Sequence, residues 1–171
     1  LAAKPEVGRS NVYRINSSKE HHYTVSLSER DSLLRNGWNS EGMLYQSTTE
    51  VTSTPVYRLY NKEHLFTSSE QEKNSLVKSG WKYEGIAWYV DSRTPYIFRF
   101  YTNGEHFYTA SLNEALSITN KGASSEGVAF GYNQESTNSV YRLYNGTNHF
   151  LTSNINEVIQ ITNNGWKYEG I

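Results

Sequence analysis

The 171-residue chain contains no cysteine. Disulfide frameworks, thiolate metal sites and Cys nucleophiles are excluded together. It also lacks an excess of charge: 16 Lys and Arg stand against 17 Asp and Glu, for a net charge of -1. Proteins that grip phosphates need a clustered cationic face, so nucleic acid is not an expected partner. No apolar run approaches the length of a membrane span, and no membrane partner is expected either. There is no G-x-S-x-G elbow, no Gly-rich phosphate loop and no H-E-x-x-H helix. On these grounds no cofactor, no metal and no catalytic residue is assigned. The opening LAAKPEVGRS has neither an initiator Met nor a signal-peptide pattern, and reads as part of a longer or processed chain.

What the chain does have is internal repetition, which must be read before any single residue. The starts Val12-Tyr13-Arg14, Val56-Tyr57-Arg58, Ile97-Phe98-Arg99 and Val140-Tyr141-Arg142 recur every 41 to 44 residues. Four units follow, at about 12–55, 56–96, 97–139 and 140–171. Inside each, a His (21, 64, 106, 149) precedes one Glu (29, 72, 114, 157) by 8 positions and a second (41, 84, 126, 169) by 20.

Each unit opens with YRLYN-like and HFYT-like segments separated by turn residues, the pattern of a hairpin. Ser26-x-x-Glu29, Ser69-x-x-Glu72, Ser111-x-x-Glu114 and Asn154-x-x-Glu157 then predict helix starts of the capping-box kind. Gly37, Gly80, Gly122 and Gly165 predict the helix ends. Leu33, Leu76, Ile118 and Ile161 are expected to face inward. A third strand follows, clearest in Tyr83–Val90. The fold expected is mainly β with short helices, an α+β repeat protein of four pseudo-symmetric units. A propeller-like closed ring of all four is preferred to an open repeat array. Leu1-Ala2-Ala3 can be laid over Ile86-Ala87-Trp88, so residues 1–11 are either a strand that closes the ring or a linker.

Repetition also decides how the charged residues are read. Arg14, Arg58, Arg99 and Arg142 and the Glu of each Glu-Gly pair are expected to form one ion pair per unit, since a buried unpaired charge would cost several kcal/mol. Four His converging on an axis could hold a metal, but no local ligand spacing supports that, and a packing role is preferred. His22 departs from the pattern and is expected to be exposed. Glycoside hydrolysis needs two carboxylates in unequal surroundings, which equivalent positions disfavour. The aromatics are better candidates for binding. Units 2 and 4 carry Gly-Trp-Lys-Tyr-Glu-Gly, unit 1 keeps Trp38, and unit 3 has Ala123 instead. Loss of a core indole would leave a large void, so this variation suits partly exposed positions. The candidate ligand-binding residues are Trp38, Trp81, Tyr83, Trp88, Trp166 and Tyr168.

The pattern YRLYN…HFYT…E…GW-x-YEG resembles the C-terminal cell-wall-binding repeat region of enterolysin A-like bacteriocins and phage endolysins. The resemblance covers residues 12–171. It implies a secreted, non-catalytic module that binds peptidoglycan or a wall polysaccharide and holds a separate N-terminal catalytic domain against the Gram-positive wall. The alternative is a protein-binding or spacer repeat domain of a surface adhesin.

Overall fold

A computed structural model describes residues 8–50, 53–131 and 141–170. The proposed closing strand Leu1–Ala3 and the terminal Ile171 lie outside them. Every unit repeats one plan: a strand, a tight turn, a second strand, a nine-residue helix and a return strand. Unit 1 contains β1 (Arg9–Asn16), β2 (His21–Thr24), α1 (Leu27–Arg35) and β3 (Asn39–Thr48). Unit 2 contains β4 (Thr54–Tyr60), β5 (His64–Thr67), α2 (Glu70–Lys78) and β6 (Lys82–Val90). Unit 3 contains β7 (Ile97–Thr102), β8 (Glu105–Thr109), α3 (Leu112–Asn120) and β9 (Ser124–Phe130). Unit 4 contains β10 (Tyr141–Tyr144), β11 (His149–Thr152), α4 (Ile155–Asn163) and β12 (Lys167–Gly170).

In each unit the first strand lies in the middle, flanked antiparallel by the second and the returning third. Units 1 and 2 fuse edge to edge through β3 and β6, where Thr48 faces Tyr89, giving a six-stranded sheet. Units 3 and 4 each form a separate three-stranded sheet. None of the sheets closes on itself.

The helix starts differ from a full capping box. Ser26, Ser69 and Ser111 accept the backbone N–H of Glu29, Glu72 and Glu114 at 3.0–3.1 Å, as expected. The reciprocal bond from Glu back to the cap N–H is not made. Thr24, Thr67 and Thr109, two residues earlier, take that N–H instead at 3.0 Å. The Glu side chains are thereby released to reach other units. At the helix ends, Trp38, Trp81, Ala123 and Trp166 each donate a backbone N–H to Leu33, Leu76, Ile118 or Ile161, closing the turn around a positive-φ glycine.

The main core shows why units 1–3 belong together. Its buried residues are three sets of equivalents: Val12, Val56 and Ile97 from the first strands; Tyr23, Phe66 and Tyr108 from the second; Tyr45, Trp88 and Phe130 from the third, with Val90. The rings of the second set form a triangle with centroids 5.0–5.7 Å apart. Those of the third set form another at 6.1–6.3 Å. Edge-to-face contact dominates both, an arrangement suited to the quadrupoles of aromatic rings.

Three units, not four, therefore surround a common axis. A closed ring of four is not what the chain forms, and the reason lies in the helices. α1 and α2 have no buried residue, whereas α3 buries Ala115 and Thr119 and α4 buries Ile155, Val158, Ile159 and Thr162. These apolar helix faces join unit 4 to unit 3 from outside, in a second core that includes Phe98, Phe100, Ala123, Tyr141 and Leu143. Ala123 stands where the other units have Trp. The small residue is buried beneath the docked fourth unit, so its size reflects packing rather than exposure.

Candidate functional site

The recurring charges lie where the strands bulge. Gly42, Gly85, Gly127 and Gly170 follow the Glu of each return strand and take positive φ, with shifts of strand register nearby. Such a bulge turns the preceding side chain inward. Glu41, Glu84, Glu126 and Glu169 thus meet both the Arg and the His of their own unit. The Arg–Glu separations are 3.3, 3.1, 2.7 and 3.0 Å, and the His Nε2–Glu separations 2.9, 3.0, 3.2 and 3.2 Å. The expected pair is a triad in every unit.

A second layer of contacts runs between units. Arg14 of unit 1 grips Glu114 of unit 3 at 2.9 and 3.2 Å and donates to the Tyr108 carbonyl at 3.0 Å. Arg99 of unit 3 grips Glu72 of unit 2 at 2.8 Å twice and donates to the Phe66 carbonyl at 3.3 Å. Nδ1 of His21 donates to Glu105 at 2.6 Å, and Nδ1 of His106 to Glu63 at 2.5 Å. Burial opposes the charge of His106, but its bonds to Glu126 and Glu63 prevail and push its pKa up to about 9. Hydrogen bonds from Arg99 hold Glu72 below the ordinary carboxylate range against its burial.

The seam between units 2 and 1 breaks this rule at every position. Arg58 reaches Glu29 only at 3.9 Å, Nδ1 of His64 is buried without a hydrogen bond, and Phe66 has no hydroxyl to match those of Tyr23 and Tyr108. His22 fills the gap instead. It is 7% exposed, bonds Glu29 at 2.7 Å and sits edge-on to His64 at 4.9 Å. Its expected exposure is thus corrected: the departure from the repeat marks a specialised seam. Burial, and then the neighbouring His22, lower the His64 pKa. Among the described residues no group of three or more His, Asp or Glu is arranged to hold a metal ion.

The aromatic candidates fall into four settings. Trp88 is 5% exposed inside the axial core. Trp166 and Tyr168 pack against the core shared by units 3 and 4. Trp38 lies half-buried beside His22, and Trp81 half-buried beside His106 of the next unit. Tyr83 is exposed and packs on Tyr57, with the Lys73 ammonium 5.0 Å from its ring.

The concave surface lies elsewhere. One cleft of about 360 Å³ opens where unit 1 meets unit 3, lined by Arg14, Glu41, Met43, Leu44, Ser111 and Glu114 among others. A second, of about 480 Å³, runs from Met43 and Leu44 past Tyr45 and Gln46 to Arg9, Arg93 and Pro95. A third, of about 270 Å³, continues from Pro95 through Tyr96 to Ile155 of unit 4, and meets the first again at Ala110. Shared walls make them one continuous surface, with Met43, 47% exposed, between the first two clefts. Sequence reading missed it because it gave Arg14, Glu41 and Glu114 to the frame, while Met43, Gln46 and Pro95 stand where the repeats differ.

Against known proteins, a family model described as a domain of unknown function, DUF5648, matches residues 1–91 and again residues 62–171. Together the two matches span the chain. The chain belongs to the DUF5648 family. The overlap over 62–91 is the mark of a repeat chain that fits the same pattern twice. No curated protein and no solved structure matches the chain.

Proposed function

We propose that this DUF5648 chain is a non-catalytic binding module for a polymeric ligand, namely peptidoglycan or a wall polysaccharide of Gram-positive bacteria. On this reading it is secreted and holds a catalytic domain to the wall. The observation that carries the reading is the run of three adjoining clefts. An open trough of several adjoining clefts with apolar walls at Met43, Leu44 and Tyr96 and polar groups at Gln46, Arg9 and Glu41 suits a chain of sugars and short peptides better than a compact substrate. Several weak subsites along such a trough raise residence time without any tight pocket.

Two further points support it. The recurring Arg, His and Glu of units 1–3 are engaged in triads and seams, so they serve the frame. The repeat pattern also resembles that of wall-binding regions of lytic proteins. Half-buried Trp38 and Trp81 and exposed Tyr83 remain the candidate stacking residues.

The test is co-sedimentation with purified sacculi, before and after chemical removal of secondary wall polymers. The wild-type chain is expected to pellet. Met43→Glu is expected to lose binding while its circular dichroism is unchanged, and Trp81→Ala with Tyr83→Ala measures the aromatic contribution. A folded wild-type chain that stays in the supernatant would reject the reading in favour of a spacer or protein-binding domain. Release of soluble fragments without added enzyme would instead point to a hydrolase.

A further inference from the structure

Unit 4 carries the side chains that build the ring of units 1–3, and among the described residues no other unit receives them. Arg142 and His149 pair with Glu169 inside the unit, as their counterparts do. Among the described residues neither reaches another unit. The Arg142 side chain is 57% exposed, against 11% for Arg14 and 9% for Arg99. Leu151 takes the place of the axial residues Tyr23, Phe66 and Tyr108, and it is 63% exposed. Phe150 beside it lies open as well, whereas its counterpart Phe107 is buried. Glu157, the counterpart of Glu72 and Glu114, has no ion-pair partner among the described residues.

This face is complementary to itself. At two of the three seams of units 1–3 the Arg of one unit grips the helix-cap Glu of the next, head to tail, at the third it approaches that Glu at 3.9 Å, and the axial residues meet at the centre. A head-to-tail contact of this kind closes after three units in this fold. The way unit 4 docks leaves the contact available. α3 meets α4 with Ala115 and Thr119 while Glu114 stays on Arg14, and α4 uses the equivalent Val158 and Thr162. Glu157 is therefore as well placed for a ring partner as Glu114 is.

We propose that three copies of this chain associate through their fourth units, Arg142 of each pairing with Glu157 of the next around an axis formed by Leu151. The first three units of every copy already occupy one another, so among the described residues it is the fourth unit whose ring-forming face is open to combine. At the residue before the ring His, units 1–3 have Glu20, Glu63 and Glu105, whereas unit 4 has Asn148. A symmetric ring would bring three identical groups together at this position. Units 1–3 hold three carboxylates at this position, and Asn148 also suits a ring, since its carbonyl can accept from the His Nδ1–H. One unit per copy offers a modest interface, so the trimer is expected to dissociate on dilution. It would present three copies of the proposed binding trough to one polymer, raising avidity without new contacts.

Sedimentation-velocity and light-scattering measurements of the whole chain over a concentration series test this. The wild type is expected to pass from monomer to trimer with no dimer plateau. Leu151→Asp alters an exposed residue, so the monomer should keep its circular dichroism while the trimer is lost. Arg142→Glu and Glu157→Arg are each expected to abolish association, and the two together in one chain to restore it. A chain that stays monomeric at its solubility limit, one that stops at a dimer, or a trimer indifferent to Leu151→Asp would each overturn the proposal.

Discussion

The Tyr108 hydroxyl accepts the backbone N–H of Phe66 at 2.6 Å and donates to the carbonyl of the same residue at 3.1 Å. It thereby ties the second strand of unit 3 to that of unit 2. The Tyr23 hydroxyl repeats half of this clasp on the N–H of Tyr108, at 2.8 Å. Both hydroxyls lie in the aromatic core, where an amide without a partner has no water to turn to. Tyr108→Phe strands the Phe66 N–H and is expected to cost about 1–3 kcal/mol. Urea denaturation would show it as a lower midpoint with unchanged slope; an unaltered midpoint would mean that the clasp contributes nothing.

The seams should also rank by geometry. Arg99→Gln removes a buried fork that holds Glu72 and Glu126, and the expected loss is about 3 kcal/mol or more, since both carboxylates are left behind. Arg58→Gln keeps the poorer seam, where Glu29 lies 3.9 Å away, and its expected loss is smaller. Arg142→Gln affects only an exposed pair, with an expected change below about 1 kcal/mol in the monomer. Equal effects at all three positions in thermal unfolding would contradict this order.

Stability should respond to pH from both sides of neutrality. The folded-state pKa of His106 stands at about 9, above the ordinary 6.5, so its contribution is whole below 6.5 and disappears as pH rises through 9. His106→Gln is expected to be destabilising at pH 6 and nearly neutral at pH 10. His64 has the opposite sign. It faces Glu84, Arg58 and His22, its folded-state pKa is lowered, and its contribution falls away as pH drops below 6.5. His64→Gln should therefore flatten the acid limb between pH 6.5 and 5. Unfolding midpoints across the pH range would reveal both slopes, and an unchanged profile in either variant would refute its assignment.

Ala123→Trp restores what the other units carry. In unit 3 the indole would enter the packed space beneath α4, with an expected cost of about 1–3 kcal/mol. Hydrogen exchange should then show lost protection in α4 but not in β1–β6. Full retention of protection there would place Ala123 outside the interface.

Local structure was legible in the sequence because its signals are local. The serine caps, the closing glycines and the hairpins appear where the pattern puts them, and so do the Arg–Glu pairs within units. The number of units around the axis was not legible, because all four carry the same ring-forming pattern. The clues lay in departures from it: the apolar faces of α3 and α4, Ala123 for Trp, His22 in the first seam, Asn148 and Leu151 in unit 4. Variation at Ala123 was read as exposure, but it reflects burial beneath another helix. Trp88 shares its unit with Trp81, yet it ends in the axial core because it lies at the far end of β6, which reaches the axis, whereas Trp81 precedes that strand at the end of α2. The trough combines repeat residues such as Arg14, Glu41 and Glu114 with Met43, Gln46 and Pro95 from positions where the units differ, so the repeat pattern alone could not disclose it.

The central structural claim is that units 1 and 3 are direct neighbours, joined by Arg14 and Glu114 across 100 residues of sequence. In a ring of four they would stand opposite each other, and in an open row unit 2 would separate them. A double-mutant cycle of Arg14→Gln and Glu114→Gln, read by denaturant unfolding, tests this most directly. The expected coupling is roughly 1 kcal/mol or more, within the range for groups in contact. Additive effects of the two substitutions would contradict it.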